Sequence, residues 1–243
     1  MIQGRKAQIL PKRLLDHGPP VVGVVTIGQS PRTDVMPDMA AALPPGTRVI
    51  ERGALDHARP AELARLAPAS DEDLLVTRLR DGTEVTLAEA RLMPLLQEAV
   101  DDVTGQGASV VAALCTGSLA GIRCQRPLLM PGPLVRNLVT AAAPEGRIAR
   151  LGVVVPARDQ IEPVSAGWSA AAGEILVLAA SPYGPLTGLA QAADALAAWR
   201  PDLIVLDCLG FDGPMKQLVA RAVGVPVVLP RTVLAGALAA LAT

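Results

Sequence analysis

Cys115 and Cys208 stand where apolar runs end. In VVAALCTGS (110–118) small apolar residues give way to a thiol, a hydroxyl, a glycine and a second hydroxyl, and LIVLDCLGF (203–211) repeats the pattern with less hydroxyl help. Each run reads as a buried parallel strand, and ligands of open α/β sheets gather outside the carboxyl ends of such strands, near helix N-termini. A thiol placed there is expected to feel the positive end of the following helix and to ionise below its usual value of about 8.5. Thr116, Gly117 and Ser118, and after the second cysteine Leu209 and Gly210, let the backbone approach a ligand closely and donate hydrogen bonds to a carboxylate. Two thiols on opposite faces of one carbon could transfer a proton through it. Taken alone, either cysteine could equally be a small buried hydrophobe. That inert role is assigned to Cys124, beside Arg123 and Arg126.

Other polar residues cluster after strand-like runs. Gln29, Ser30 and Arg32 follow VVGVVTI (21–27), with Ser30 expected as a helix N-cap, Pro31 in the first turn and Arg32 offering bidentate recognition of a carboxylate. Ser181 and Tyr183 follow ILVLAA (175–180), where the only tyrosine could cover a ligand or pack on the surface. Asp56 and Arg78 are expected to be solvated or ion-paired charges, and Asp207, alternating away from Cys208 along its strand, a structural partner.

The elements that would position these residues are those of an α/β protein. RPAELARLA (59–67) reads as a short helix, LLVTRLRDGTEVTLA as a hairpin turning at Asp81-Gly82 at an edge of the sheet, and residues 87–104 as a helix stopped by Gly105 and Gly107. After position 127 the order strand, loop, strand, helix, cysteine-tipped strand recurs. This predicts two similar lobes, each a mostly parallel sheet flanked by helices, with a cleft between them. The expected division is a basic extension at 1–19, a first lobe of 20–127 plus 222–243, and a second lobe of 128–221.

The segments TIGQSPRTDVMP (26–37), GALD (53–56), LVTRLRDGTEV (75–85), LCTG (114–117), SPYG (181–184) and LDCLGF (206–211) resemble the AroM family, in the same order along nearly the whole chain after residue 20. That family is similar, more distantly, to the aspartate, glutamate and hydantoin racemases, maleate isomerases and arylmalonate decarboxylases. The resemblance implies a racemase-like two-lobed fold with Cys115 facing Cys208 across the cleft. Amino-acid racemases of this type follow their first cysteine with Asn-Thr and their second with Thr-His. Here the followers are Thr116-Gly117 and Leu209-Gly210, without the helper histidine, which argues against ordinary amino-acid racemisation. The implied enzyme acts on a small carboxylate by racemisation, isomerisation or decarboxylation and needs no metal or organic cofactor. The rival reading is a sensor that binds a small anion through Arg32, Thr116 and Ser118, its cysteines filling space.

Composition agrees with a globular enzyme or binding protein. A chain of 243 residues buries about 70 to 75% of its unfolded surface and can hold a core without disulfides or metal. The net charge of −1, with acids and bases interspersed, offers no footprint for nucleic acid. Apolar runs are interrupted before a membrane-spanning length, so a soluble, cytoplasmic protein is expected. Three scattered cysteines with only His17 and His57 suggest neither a disulfide framework nor a zinc site. No phosphate-loop or dinucleotide glycine motif follows any strand. A homo-oligomer is left open.

Overall fold

The computed structural model describes residues 19–70, 72–143 and 147–242. The basic extension therefore lies outside the described residues apart from Pro19, as does His17.

Two four-stranded sheets carry the fold. The first contains β1 (Val21–Thr26), β2 (Arg48–Gly53), β5 (Val110–Leu114) and β6 (Leu128–Leu129) in the order β2-β1-β5-β6. The second contains β7 (Ile148–Val155), β8 (Ala172–Ala179), β9 (Leu203–Leu206) and β10 (Val227–Val228), paired so that, read from β8, the order is β8-β7-β9-β10. Every pairing in both sheets is parallel. Strand for strand, the second sheet repeats the first, and β9 occupies the place of β5.

The central strands are apolar throughout because both faces are covered. On β1, Val22 and Val24 face α1 (Met36–Ala42) and the last helix, α8 (Pro230–Leu241), while Val25 faces α3 (Glu89–Gly105). On β7, Val153 and Val155 share a core with Trp168 of α5 (Ile161–Trp168). Val154 lies with Leu189 and Leu196 of α6 (Leu186–Trp199) and Val219 of α7 (Gly213–Val223). Two short helices complete the set, α2 (Pro60–Arg65) and α4 (Pro131–Ala142). Among the described residues no helix is long and apolar enough to cross a membrane.

Pairing details differ from the expected divisions. β6 begins at 128 yet bonds to β5, and β10 lies after 221 yet bonds to β9. Only α8 returns to the first sheet, packing on α1 and β5. The hairpin, β3 (Leu74–Arg78) with β4 (Glu84–Ala88), is a separate two-stranded antiparallel sheet, not an edge of either larger one. Ser30 caps no helix. The Ser30–Pro31 bond is cis, and α1 starts only at Met36.

The repeat extends to helix seating. A Cβ on Gly23 of β1 would lie 2.7 Å from Val103 Cγ2 of α3 and 3.1 Å from Ala108 Cβ, and one on Gly152 of β7 would lie 2.7 Å from Leu196 Cδ2 of α6. Each glycine lets a helix approach the middle of its sheet. Gly23 meets short, branched or backbone-anchored neighbours, whereas Gly152 meets the tip of a flexible leucine. Gly23→Ala is therefore expected to lower unfolding free energy by about 1–3 kcal/mol, and Gly152→Ala by less. Urea denaturation of both variants checks the order.

Candidate active site

Both cysteines leave the carboxyl end of an equivalent strand: Cys115 directly follows β5, and Cys208 lies two residues beyond β9. They line one small cavity of about 30 Å³, together with Arg32, Leu75, Thr77, Thr116, Tyr183 and Asp207 among others. Each sulfur accepts a hydrogen bond from the N–H two residues later, Gly117 for Cys115 and Gly210 for Cys208, both at 3.3 Å. Crowding favours glycine at both places, more strictly at 210, where the neighbours are rings, than at 117, where the neighbour is the tip of a leucine. A Cβ at 117 would lie 2.7 Å from Leu75 Cδ2, and one at 210 would lie 2.6 Å from the Tyr183 phenol oxygen and 2.7 Å from Pro182. Each lobe thus presents the same device, a Cys-x-Gly turn in which a backbone N–H is aimed at sulfur.

The electrostatics correct the expectation of acidic thiols. Burial pushes Cys115 up to about 12, helped by the charges of Cys208, Glu89 and Asp207 and opposed by the Gly117 N–H. Cys208 is pushed up to about 11, again by burial and also by the charge of Asp207, opposed by the Gly210 N–H and by the cationic Arg32 and Arg231. The helix ends that were to lower these values are not at the sulfurs. After Cys115 the chain runs through a long loop to β6, and α7 starts five residues beyond Cys208 with Asp212 capping it through the Met215 N–H at 2.9 Å. Desolvation therefore outweighs the glycine donors. The neighbours still differentiate the pair, with cations near Cys208 and anions near Cys115. Cys208 is the readier thiolate, and ionisation of either thiol disfavours that of the other.

Other expected ligands divide into those at the cavity and those beside it. Arg32, only 3% exposed, pairs Nε and Nη2 with the two carboxylate oxygens of Asp34 at 2.8 Å, and it also donates to Thr26 Oγ1 at 3.0 Å and to the Tyr183 oxygen at 3.1 Å. Its bidentate fork is occupied by a protein carboxylate. Burial raises the Tyr183 pKa, as does the nearby Cys208, so the phenol keeps its proton. It accepts from Arg32 and donates to no described residue. Thr116 donates its hydroxyl to the Asp207 carbonyl at 3.1 Å, joining the two cysteine turns directly. Leu209 lines the cavity, and Gly210 fits beneath Tyr183.

Gln29, Ser30, Ser118 and Ser181 do not line it. Gln29 donates to Leu55 O and accepts from the Arg80 N–H. Ser30 gives its N–H and hydroxyl to the Asp56 carboxylate at 2.6 and 2.7 Å, so the GALD aspartate clamps the loop after β1. Ser118 donates to Glu89 at 2.8 Å, and Ser181 to Glu84. These side chains shape the walls.

Two residues escaped the sequence reading. Arg231, 1% exposed at the start of α8, donates to the carbonyls of Leu209 and Gly210 in the second half and to Asp34 O and Asp38 in the first. A cation in the first turn of a helix opposes the helix dipole, and that local mismatch was its signal in sequence. Thr77 brings a hydroxyl from the hairpin into the cavity wall. The cavity adjoins an outer cleft of about 570 Å³ that shares Leu75, Thr116, Gly117, Gln160 and Asp207 with it and adds Arg136, which has no ion-pair partner among the described residues. A separate hollow of about 630 Å³ beside His57 contains neither Cys115 nor Cys208. Among the described residues no cluster of His, Cys, Asp and Glu is arranged to hold a metal.

The AroM protein family profile matches residues 22–242. No curated protein matches the chain. Similar solved structures include an allantoin racemase from Klebsiella pneumoniae, 16% identical over 91% of this chain and 87% of the other, with a TM-score of 0.58. A glutamate racemase from Francisella tularensis in complex with D-glutamate is 14% identical over 92% and 81%, TM-score 0.58. An arylmalonate decarboxylase is 18% identical over 89% and 93%, TM-score 0.53. These likenesses identify the racemase-type two-lobed fold.

Because burial raises both thiols above their usual value, the fold favours their protonated forms. The corresponding stability is complete below the unfolded value of about 8.5 and is lost as pH rises through about 11 and 12. Iodoacetamide is expected to modify half-buried Cys124 first at pH 7.5 and to reach Cys208 before Cys115 as pH rises. Peptide mapping of the alkylated protein reads that order, and fast labelling of Cys115 at neutral pH would contradict it.

Proposed function

The chain belongs to the AroM family, and we propose that it is an enzyme acting on a small carboxylate by proton transfer between Cys115 and Cys208, without an organic cofactor. The observation that carries this reading is the sharing of one cavity by two thiols, each with a glycine N–H aimed at its sulfur.

In the proposed cycle Cys208, as thiolate, takes the proton from the carbon next to the carboxylate. The C–H electron pair moves into the carboxyl group to give an enolate. Cys115 then delivers its thiol proton to the opposite face, leaving Cys115 as thiolate and Cys208 as thiol with the centre inverted. The reverse passage restores the starting state. In a decarboxylation of a malonate-type diacid the C–C bond to one carboxylate breaks instead, carbon dioxide leaves, the electron pair passes into the remaining carboxyl group, and one thiol protonates that enolate from a single side. Isomerisation of a double bond would instead begin with addition of the thiolate to carbon. The neutral Tyr183 phenol, which accepts from Arg32 and donates to no described residue, is suited to the developing negative oxygen, fixed dipoles being most effective where water is excluded. Gly117 is reassigned from the substrate carboxylate to Cys115, because its N–H already serves that sulfur.

Size constrains the substrate. A space of about 30 Å³ matches the volume share of about one water molecule. Only the reacting centre and its carboxylate lie at the sulfurs, after the walls have moved apart, and the rest of the molecule extends into the outer cleft, where Arg136 stands among Glu72, Asp73, Glu89 and Asp159. Non-catalytic binding of the same class of carboxylate is the second reading, favoured by the burial that keeps both thiols protonated at neutral pH.

Incubation with 2-substituted acids in deuterium oxide separates the two. The enzyme reading expects deuterium at the carbon next to the carboxylate, with exchange reduced about 10²–10⁴-fold in Cys115→Ser and in Cys208→Ser. Exchange unchanged in both variants ends the two-thiol proposal. Protection of the thiols by an acid that undergoes no exchange supports binding alone.

A further inference from the structure

We propose that Thr77 is a ligand-binding residue of this cavity, its hydroxyl donating to one oxygen of the acid's carboxylate; the inference rests on the small-carboxylate reading of the site. Thr77 lies on β3 opposite Val85 of β4 and is 1% exposed. Thr77 lines the cavity that both cysteines line, and its fully buried Oγ1 has no hydrogen-bond partner among the described residues. Buried hydroxyls in folded proteins are nearly always bonded, so an orphan at a cavity wall calls for a partner that enters the cavity.

Among the described residues the surroundings leave no protein group for that role. The loop after β1 passes so close that a Cβ on Gly28 would lie 2.6 Å from Thr77 Oγ1. Yet the Gly28 N–H donates to Thr26 Oγ1 and its carbonyl accepts from the Leu55 N–H. Arg32 is committed to Asp34, Thr26 and Tyr183, and the Thr116 hydroxyl to the Asp207 carbonyl. Packing alone gives no reason for the hydroxyl. Leu75 and Val76, its buried neighbours on the strand, are apolar, and valine has the shape of threonine without the polar atom. A hydroxyl retained under these conditions is placed for a ligand, and since a hydroxyl both donates and accepts, a ligand acceptor satisfies it. The carboxylate of a small acid is such an acceptor, and burial strengthens a hydrogen bond to a charged oxygen. The hairpin thereby becomes part of the recognition surface.

The test compares wild type, Thr77→Val and Thr77→Ser by iodoacetamide labelling of Cys115 and Cys208 at alkaline pH, with malonate and phenylmalonate as protecting probes, alongside thermal denaturation. Thr77→Val is expected to melt at or above the wild-type temperature, since an unpaired buried hydroxyl has been removed. It is also expected to label at the wild-type rate without acid and to need at least tenfold more acid for protection. Thr77→Ser should stay within about threefold of wild type. Equal protection of wild type and Thr77→Val overturns the assignment while leaving the carboxylate reading intact. A wild type that neither acid protects overturns both. A Thr77→Val protein that melts well below wild type marks the hydroxyl as structural and also overturns the assignment.

Discussion

The buried guanidinium of Arg231 ties the carboxyl ends of the two sheets together. It carries a full charge at 1% exposure and spends its donors on carbonyls of the Cys208 turn and of the loop after β1, with Asp38 as its ion-pair partner. Loss of one side of such an arrangement leaves an uncompensated charge or orphaned carbonyls in the interior, which is far more costly than loss of a surface pair. Two weaker ties run beside it, from Thr116 to the Asp207 carbonyl and from Arg32 to Tyr183. Together they bring two strand ends that are 93 positions apart in sequence, 115 and 208, to the same cavity.

The same closure sets the chemistry. Excluding water raises both thiol pKa values, which opposes thiolate formation, and it also strengthens every fixed dipole in the cavity. The two Cys-x-Gly turns compensate locally, each aiming a backbone N–H at its sulfur without introducing a charge. Arg32 and Arg231 near Cys208 and Glu89 near Cys115 then break the symmetry of the repeat, while Asp207 opposes ionisation of both, so the two thiols are not equivalent. An internal repeat supplies the matched pair of thiols, and the residues that differ between the halves make their surroundings unequal.

Much of this architecture is legible in the chain. Buried parallel strands read as continuous apolar runs, so β1, β5, β7 and β9 stand out, and Asp81-Gly82 marks the hairpin turn. Recurrence of the order of elements was enough to anticipate two lobes with a cysteine at an equivalent strand end in each. What escaped depends on contacts between distant segments. Ser30 looks like a helix cap until Asp56, 26 residues away, takes its N–H and hydroxyl. Ser118 and Ser181 look like ligands until Glu89 and Glu84 claim them. The sign of the thiol shifts could not be read because it turns on the balance of desolvation against local donors. Thr77 was hidden for a related reason: a threonine in a strand has ordinary propensity, and only the surrounding polar inventory reveals that its hydroxyl is unpaired.

The most direct measurement of the central claim is a crystal structure of the protein soaked with malonate. The account predicts the acid's central carbon between the sulfurs of Cys115 and Cys208, each about 3.5 Å from it, with the two glycine N–H groups still directed at sulfur. Malonate held only in the hollow beside His57, or side chains packed between the two sulfurs with the acid excluded, would contradict it.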